Sequence, residues 1–202
     1  LALMGRATLI QRSLFLVGSG SNGKSTLIEA AIKCFPEPAV ASVSPHQISG
    51  HKSEYYLHDL RGKLLNVVSE LESSDVHSLG AFKAIVSGDS TSGRPAFGQI
   101  QRFKPIAGHV FACNKLPNAG DASDGFWRRA VVIQFDRQFT DHDKDPAMPM
   151  KLAAERSAII ARLLAAGQNA LERGDIIIST KSKEATDDLR LRSSPVLSFL
   201  FD

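Results

Sequence analysis

Short apolar runs separated by turn residues dominate the first two thirds of the chain. Leu14-Phe15-Leu16-Val17 is the first, and it ends in the glycine-rich stretch Gly18 to Gly23. From Ser25 to Phe35 the spacing becomes helical, with Leu27, Ala31 and Cys34 on one face, until Pro36 and Pro38 stop it. Lys63-Leu64-Leu65-Asn66-Val67-Val68 repeats the buried-strand pattern after Gly62. Val76 to Val86 carries apolar residues at 79, 82, 85 and 86, which predicts a helix closed by Gly88. His109 to Cys113 and Arg129 to Phe135 are two more compact, mostly apolar runs that read as strands. Strand followed by helix, repeated, predicts an α/β fold built on a parallel sheet.

Two stretches break this rhythm. Between Gly88 and Gly108 the chain is turn-rich, with weak alternation around Phe97, Ile100 and Phe103, and a hairpin off the sheet fits it best. Asp141 to Pro149 is a charged, proline-containing link, and Lys151 to Arg173 beyond it is Ala- and Leu-rich with helical spacing. The expected organisation is an N-terminal flank over 1–13, a core over 14–140 and a C-terminal helical element and linker over 147–202. The start at Leu1 and the apolar run Ser194 to Asp202 read as the ends of a piece cut from a longer protein.

Composition narrows the class. A chain of 202 residues with 43% hydrophobic and 22% charged residues has enough apolar side chains to bury one core without staples. The 2 cysteines lie far apart and the 6 histidines lack metal-ligand spacing, so a disulfide framework and a zinc site are not expected. Neither a bilayer-length apolar run nor a signal-peptide pattern is present in these residues, which points to the cytoplasm. The net charge of +3 permits an anionic partner without requiring one.

Gly18-Ser19-Gly20-Ser21-Asn22-Gly23-Lys24-Ser25-Thr26 matches the pattern G-x-x-x-x-G-K-[ST] and sits between a predicted strand and a predicted helix. Glycines let consecutive backbone N–H groups turn inward around phosphate oxygens, and the helix N-terminus adds its positive end. Lys24 is placed to neutralise β/γ-phosphate charge, and Ser25 to offer a hydroxyl to Mg²⁺; Thr26 is less suited to the metal. A triphosphate such as ATP is the expected ligand.

Hydrolysis also needs an acid near the metal and the attacking water. Glu70, the first acid after the Leu64 to Val68 run, is the candidate, with Glu72 the weaker alternative. Asn114 ends the His109 to Cys113 run and could orient the water, although a turn residue before Pro117 is the blander reading. Arg128 and Arg129 precede the last strand, where either can serve as an arginine finger to a neighbouring site or as a surface ion pair. Arg94, Arg102 and Lys104 on the predicted hairpin have no acid between them and are interleaved with Phe97 and Phe103. That basic and aromatic mix, with Gln99, suits single-stranded DNA.

The order of these motifs resembles the superfamily 3 helicase domain of the phage and plasmid primase-helicase family, with its poxvirus-type relatives. Asn22 before Gly23-Lys24, the block Phe82-Lys83-Ala84-Ile85-Val86-Ser87-Gly88-Asp89 and Asn114-Lys115-Leu116-Pro117 carry the resemblance, over about Gly5 to Phe135. It implies an AAA+-like, ring-forming motor, expected as a hexamer, that unwinds forked DNA alongside other replication proteins. Under it Lys24 and Ser25 are the phosphate-loop lysine and metal hydroxyl, Glu70 the Walker B acid, Asn114 the sensor, and Arg128 or Arg129 the finger. Lys83 becomes a residue facing the neighbouring subunit's nucleotide, and Arg94 to Lys104 the channel hairpin. One departure is that Glu70 and Glu72 are split by Leu71 where many relatives have adjacent acids. Alternatives left open are a DNA-bound loader or packaging motor, a prophage remnant that binds nucleotide without unwinding, and a small-molecule kinase. The kinase is disfavoured because no lid-like arginine cluster follows the phosphate-loop helix.

Overall fold

The computed structural model describes residues 1–71, 79–114 and 124–192. Glu72, the first residues of the expected 76–86 helix, Lys115-Leu116-Pro117 and the run from Ser194 to Asp202 lie outside the described residues. The chain enters through α1 (Ala7–Ile10) into β1 (Ser13–Val17), then α2 (Lys24–Ile32). The next stretch holds β2 (Val40–Ala41), α3 (Pro45–Ser49) and α4 (Ser53–Asp59) before β3 (Leu65–Val68) and α5 (Leu79–Ser87). The hairpin strands β4 (Thr91–Gly93) and β5 (Gln101–Phe103) come next, then β6 (Gly108–Cys113), α6 (Asp124–Trp127) and β7 (Ala130–Gln134). Three helices follow: α7 (Met148–Ala154), α8 (Arg156–Arg173) and α9 (Thr180–Arg192).

All pairings in the main sheet are parallel, and its order is β2-β3-β6-β1-β7. Alternation along each strand sends side chains to opposite faces, and both faces are covered. On one, Phe15, Phe82, Phe111 and Phe126 pack ring against ring, with centroids 5.2 Å apart for Phe15 and Phe111 and 5.3 Å for Phe82 and Phe126. On the other, Leu16, Ile28, Leu65, Val67 and Ala112 form a second layer. The α/β fold read from the sequence is therefore present, hairpin included.

Helix α2 departs from the expected face. Leu27 is 49% exposed, whereas Ile28 is buried together with Lys24 four residues earlier. Lys24 turns inward to the loop, and that fixes the helix rotation so that position 28 faces the sheet. The helix expected from Lys151 to Arg173 is two helices, broken at Glu155.

Both borders of the sheet are short or covered. β2 has two residues. At the other border, α9 lies along β7: Thr186 Oγ1 accepts from Val132 N–H at 3.3 Å, and Ser182 Oγ donates to the Val132 carbonyl. Two hydroxyls one helical turn apart thus satisfy the central residue of an edge strand.

A polar pair is buried between β3 and β6. Asn66 Nδ2 donates to Val43 O at 2.8 Å and to His109 Nδ1 at 3.2 Å, while its Oδ1 accepts from Val43 N–H at 2.8 Å. A neutral His109 can accept there at Nδ1. Burial lowers its pKa from 6.5 to about 4, against a smaller opposing pull from the Ile85 backbone. Between those values the unfolded chain takes up a proton that the native state refuses, so stability is complete above about pH 6.5 and declines toward pH 4. Lowering the pH from 7 to 5 is expected to remove about 2 kcal/mol of unfolding free energy through this one group. Denaturant titrations of the wild type and His109→Gln check this, because the substitution should flatten that slope.

Candidate functional site

The phosphate loop leaves β1 at Gly18 and enters α2 at Lys24, and its turn needs left-handed backbone at Gly20 (φ 102°), Ser21 (φ 45°) and Gly23 (φ 86°). Gly18 is required for a different reason: a Cβ there would lie 2.2 Å from Asn22 Nδ2 and 2.6 Å from the Phe135 carbonyl oxygen. Asn22 uses that closeness to donate to Phe135 O at 3.2 Å. Its Oδ1 accepts from Lys24 Nζ at 3.0 Å, and Gly18 O accepts from the same ammonium at 2.6 Å.

Lys24 is only 8% exposed, and its partners are neutral oxygens. Among the described residues no carboxylate is ion-paired with it. A buried cation with neutral partners is costly to hold and calls for an anion. The backbone donors of the loop point the same way.

Three adjacent strands, β3, β6 and β1, deliver their C-terminal ends to this point. Gly18 N–H donates to Cys113 O at 3.2 Å and Leu71 N–H donates to Ala112 O at 2.7 Å, which ties the ends together just where the candidate residues emerge. One cavity of about 410 Å³ is lined by the loop from Gly20 to Thr26, by Ser69 and Glu70, and by Cys113 and Asn114. Lys24, Ser25, Glu70 and Asn114, far apart in sequence, therefore share one space. Burial pushes the Cys113 thiol up to about 11, against the pull of Lys24, so it lines the cavity as a neutral group.

The oxygen donors of Ser25 and Glu70 suit a hard divalent cation, for which one or two protein ligands plus phosphate oxygens suffice. Among the described residues no cluster of three or more His, Cys, Asp or Glu could hold a metal without such help.

Sequence reasoning missed a second wall. Phe139 N–H donates to Ser21 O at 2.7 Å and Gln138 Nε2 donates to Ser19 Oγ at 3.0 Å, so the chain after β7 clamps the outside of the loop. Arg137 caps the Phe139 ring, 4.7 Å from its centroid. The one available signal was an aromatic pair flanking a polar stretch just past a strand.

The remaining candidates lie elsewhere. Register pairs Ser13 with Ala130 and Val17 with Gln134, so Arg128 and Arg129 sit beyond the opposite end of β1 from the loop. A strand of that length separates them from the cavity by roughly 17 Å. Arg128 is exposed, whereas Arg129 is 7% exposed and hydrogen-bonded within the chain. Lys83 is half-buried on α5 and does not line the cavity.

On the hairpin, Phe97 stands fully in solvent at the tip with φ 61°, and Gln99, Arg102 and Lys104 are exposed. Arg94, the first loop residue after β4, turns back onto the body of the domain instead. It pairs with Glu54 at 3.3 Å and covers the Tyr55 ring at 5.2 Å, anchoring the hairpin on α4.

No described helix is long and apolar enough to cross a membrane. Residues 16–129, more than half of the chain, match the profile of a family described as of unknown function, DUF5906. The candidate helicase L207/L206 of Acanthamoeba polyphaga mimivirus is 29% identical over 133 residues, covering 64% of this chain and 14% of that protein. The candidate helicase 121R of Invertebrate iridescent virus 3 is 30% identical over 142 residues, covering 66% and 15%. The chain thus spans about a seventh of the length of these viral relatives. Among solved structures, the A form apo structure of the NrS-1 C-terminal region shares the fold, with TM-score 0.67 at 14% identity over 92% of this chain and 44% of that one.

Proposed function

Starting from its membership of DUF5906, a family whose function is unknown, we propose that this chain is the motor domain of a superfamily 3 DNA helicase, hydrolysing ATP to move along single-stranded DNA. The convergence of the phosphate loop, Glu70 and Asn114 on one cavity carries the reading. Similarity to helicase-named viral proteins supports it from outside.

The loop N–H groups and Lys24 hold the phosphates, Lys24 exchanging Gly18 O and Asn22 Oδ1 for phosphate oxygens. Ser25 and Glu70 are the residues that would hold Mg²⁺, which when bound neutralises charge on the β- and γ-oxygens. Asn114 orients a water in line with the γ-phosphorus. Its oxygen bonds to phosphorus as the bond to the bridging oxygen breaks, and its proton passes to Glu70. Charge developing on the γ-phosphoryl group is met by Arg128 of a neighbouring subunit. The opposite placement of Arg128 and the loop across β1 supports a site shared between subunits, and hence a ring, for which a hexamer is our reading. Lys83 belongs to that subunit boundary, with Arg129 buried behind Arg128.

The exposed length of the hairpin is the DNA contact, with Phe97 at the tip stacking on a base, Gln99 beside it, and Arg102 and Lys104 along β5 and at its base on phosphates. Arg94 contributes by fixing the loop end of β4 to α4. Replacing both Arg102 and Lys104 with alanine is expected to weaken single-strand binding about tenfold and to lower its salt slope by about 1.4, some 0.7 for each phosphate no longer neutralised. Unchanged affinity and slope in a filter-binding titration across salt concentrations sinks the hairpin assignment.

The whole reading is tested by sedimentation with an ATP analogue and single-stranded DNA, followed by strand displacement on a forked duplex. Assembly with both ligands and unwinding with ATP are expected. DNA-stimulated hydrolysis without strand separation favours a loader instead, and no nucleotide binding at all overturns the proposal.

A further inference from the structure

Two adjacent arginines precede β7, and their surroundings differ. Arg128 is exposed, and its carbonyl accepts from Arg12 Nη1, a guanidinium itself ion-paired with Asp175 at 2.7 Å. Arg129 is turned inward. Its Nε and Nη2 both donate to Ser87 Oγ, at 3.0 and 2.6 Å, its Nη1 donates to Gly125 O at 2.7 Å, and its Nη2 also reaches Gln11 Oε1 at 3.3 Å. One planar guanidinium thereby joins the last residue of α5, the helix α6 and the residue that ends α1. The five fixed donors of arginine suit such a three-way joint, which the single ammonium of lysine would make poorly.

Ser87 lies next to the hairpin root with almost no slack between. Gly88 turns at φ 72° hard against Thr8, where an added Cβ would stand 2.9 Å from the Thr8 Cβ. Asp89 N–H bonds back to Ala84 O at 2.9 Å, Ser90 Oγ accepts from Arg102 Nε at 2.8 Å, and β4 begins at Thr91. A continuous chain of hydrogen bonds and tight turn thus runs from the peptide that carries Arg128, through Arg129 and Ser87, to the strand that carries Arg102.

We propose that Arg129 is a positioning residue, a strut that passes the engagement of Arg128 with a neighbour's nucleotide through Ser87 to the root of the β4–β5 hairpin. The inference rests on the function proposed above, in which Arg128 meets the nucleotide and the hairpin meets DNA. Contiguous packed groups are the physical means by which two sites exchange free energy, and the exchange is reciprocal. DNA on the hairpin therefore alters hydrolysis, and nucleotide alters DNA affinity, through the same joint.

Ser87 touches neither ligand, so Ser87→Ala is the probing variant. It removes the acceptor at the hairpin end and leaves Arg129 bound to Gly125 and Gln11. Hydrolysis without DNA should stay close to wild type, while stimulation by single-stranded DNA falls about fivefold or more, and the effect of an ATP analogue on DNA affinity falls by the same factor. Ser87→Thr, which keeps the hydroxyl, should restore both. If Ser87→Ala fails to fold, Ser87→Cys provides a similar shape with a weak acceptor and is expected to show the same loss. Undiminished stimulation in these variants overturns the strut and leaves the motor standing. Equal loss of basal and stimulated rates also overturns it, because that is a merely structural role. A wild-type protein whose hydrolysis ignores DNA overturns the function proposed above and the strut with it.

Discussion

Replacing Lys24 with alanine is expected to lower ATP hydrolysis by about two to three orders of magnitude, the usual consequence of removing a preorganised donor from developing charge. The geometry adds a second effect. The ammonium already sits 2.6 Å from Gly18 O and 3.0 Å from Asn22 Oδ1, so its loss also leaves two polar oxygens without their donor. The lost hydrogen bonds and the relief of a buried, uncompensated charge oppose each other, so unfolding free energy should shift by no more than about 1 kcal/mol while turnover collapses. Nucleotide binding by titration, turnover by phosphate release and unfolding by denaturant separate the effects. Hydrolysis persisting in Lys24→Ala would remove the cavity from consideration. Asn22→Ala makes the complementary case, because it frees one side of the ammonium and should weaken the loop's attachment to Phe135 while leaving the charge in place.

Arg128→Ala is expected to be nearly as severe, about a thousandfold in turnover, with nucleotide affinity little changed. Its distinguishing feature is complementation. Register places Arg128 beyond the far end of the strand from the phosphate loop, so under the proposed function each site borrows the arginine from another copy. Mixing Arg128→Ala subunits, which retain intact loops, with Lys24→Ala subunits, which retain the arginine, should restore part of the activity that each lacks alone. If the mixture is as inactive as its components at concentrations where the wild type assembles, the shared site is wrong. Arg129→Ala is expected to differ in kind: its side chain is buried among Ser87, Gly125 and Gln11, so the loss should register in unfolding as well as in turnover.

The parts of the site carried by a contiguous segment, or by the end of a strong apolar strand, were legible from residue order alone. The phosphate loop is nine consecutive residues, and Glu70 and Asn114 follow runs whose pattern forces them into a sheet. Parallel pairing then brings them to one end, and the shared cavity follows. What stayed hidden depends on rotation or register. Nothing in the string Arg128-Arg129 tells which is buried, because Ser87, more than forty positions away, decides it. The clamp from Phe135 to Phe139 arises only once β7 lies beside β1. Leu27 and Ile28 are equally apolar, and the inward turn of Lys24 selects between them. The stretch holding β2, α3 and α4 was too short and too polar to declare itself, yet it supplies Glu54 and Tyr55 as the seat of the hairpin.

The hydroxyls of Ser182 and Thr186 on Val132 bear on crowding. An open sheet border is a template on which further chains can line up, and fibrils grow that way. Here one flank is sealed at its middle by a helix, and the other is a strand of two residues. Neither gives an incoming chain a run of groups to copy. Many copies held close together, as during synthesis, therefore meet no open border of this sheet on which to extend.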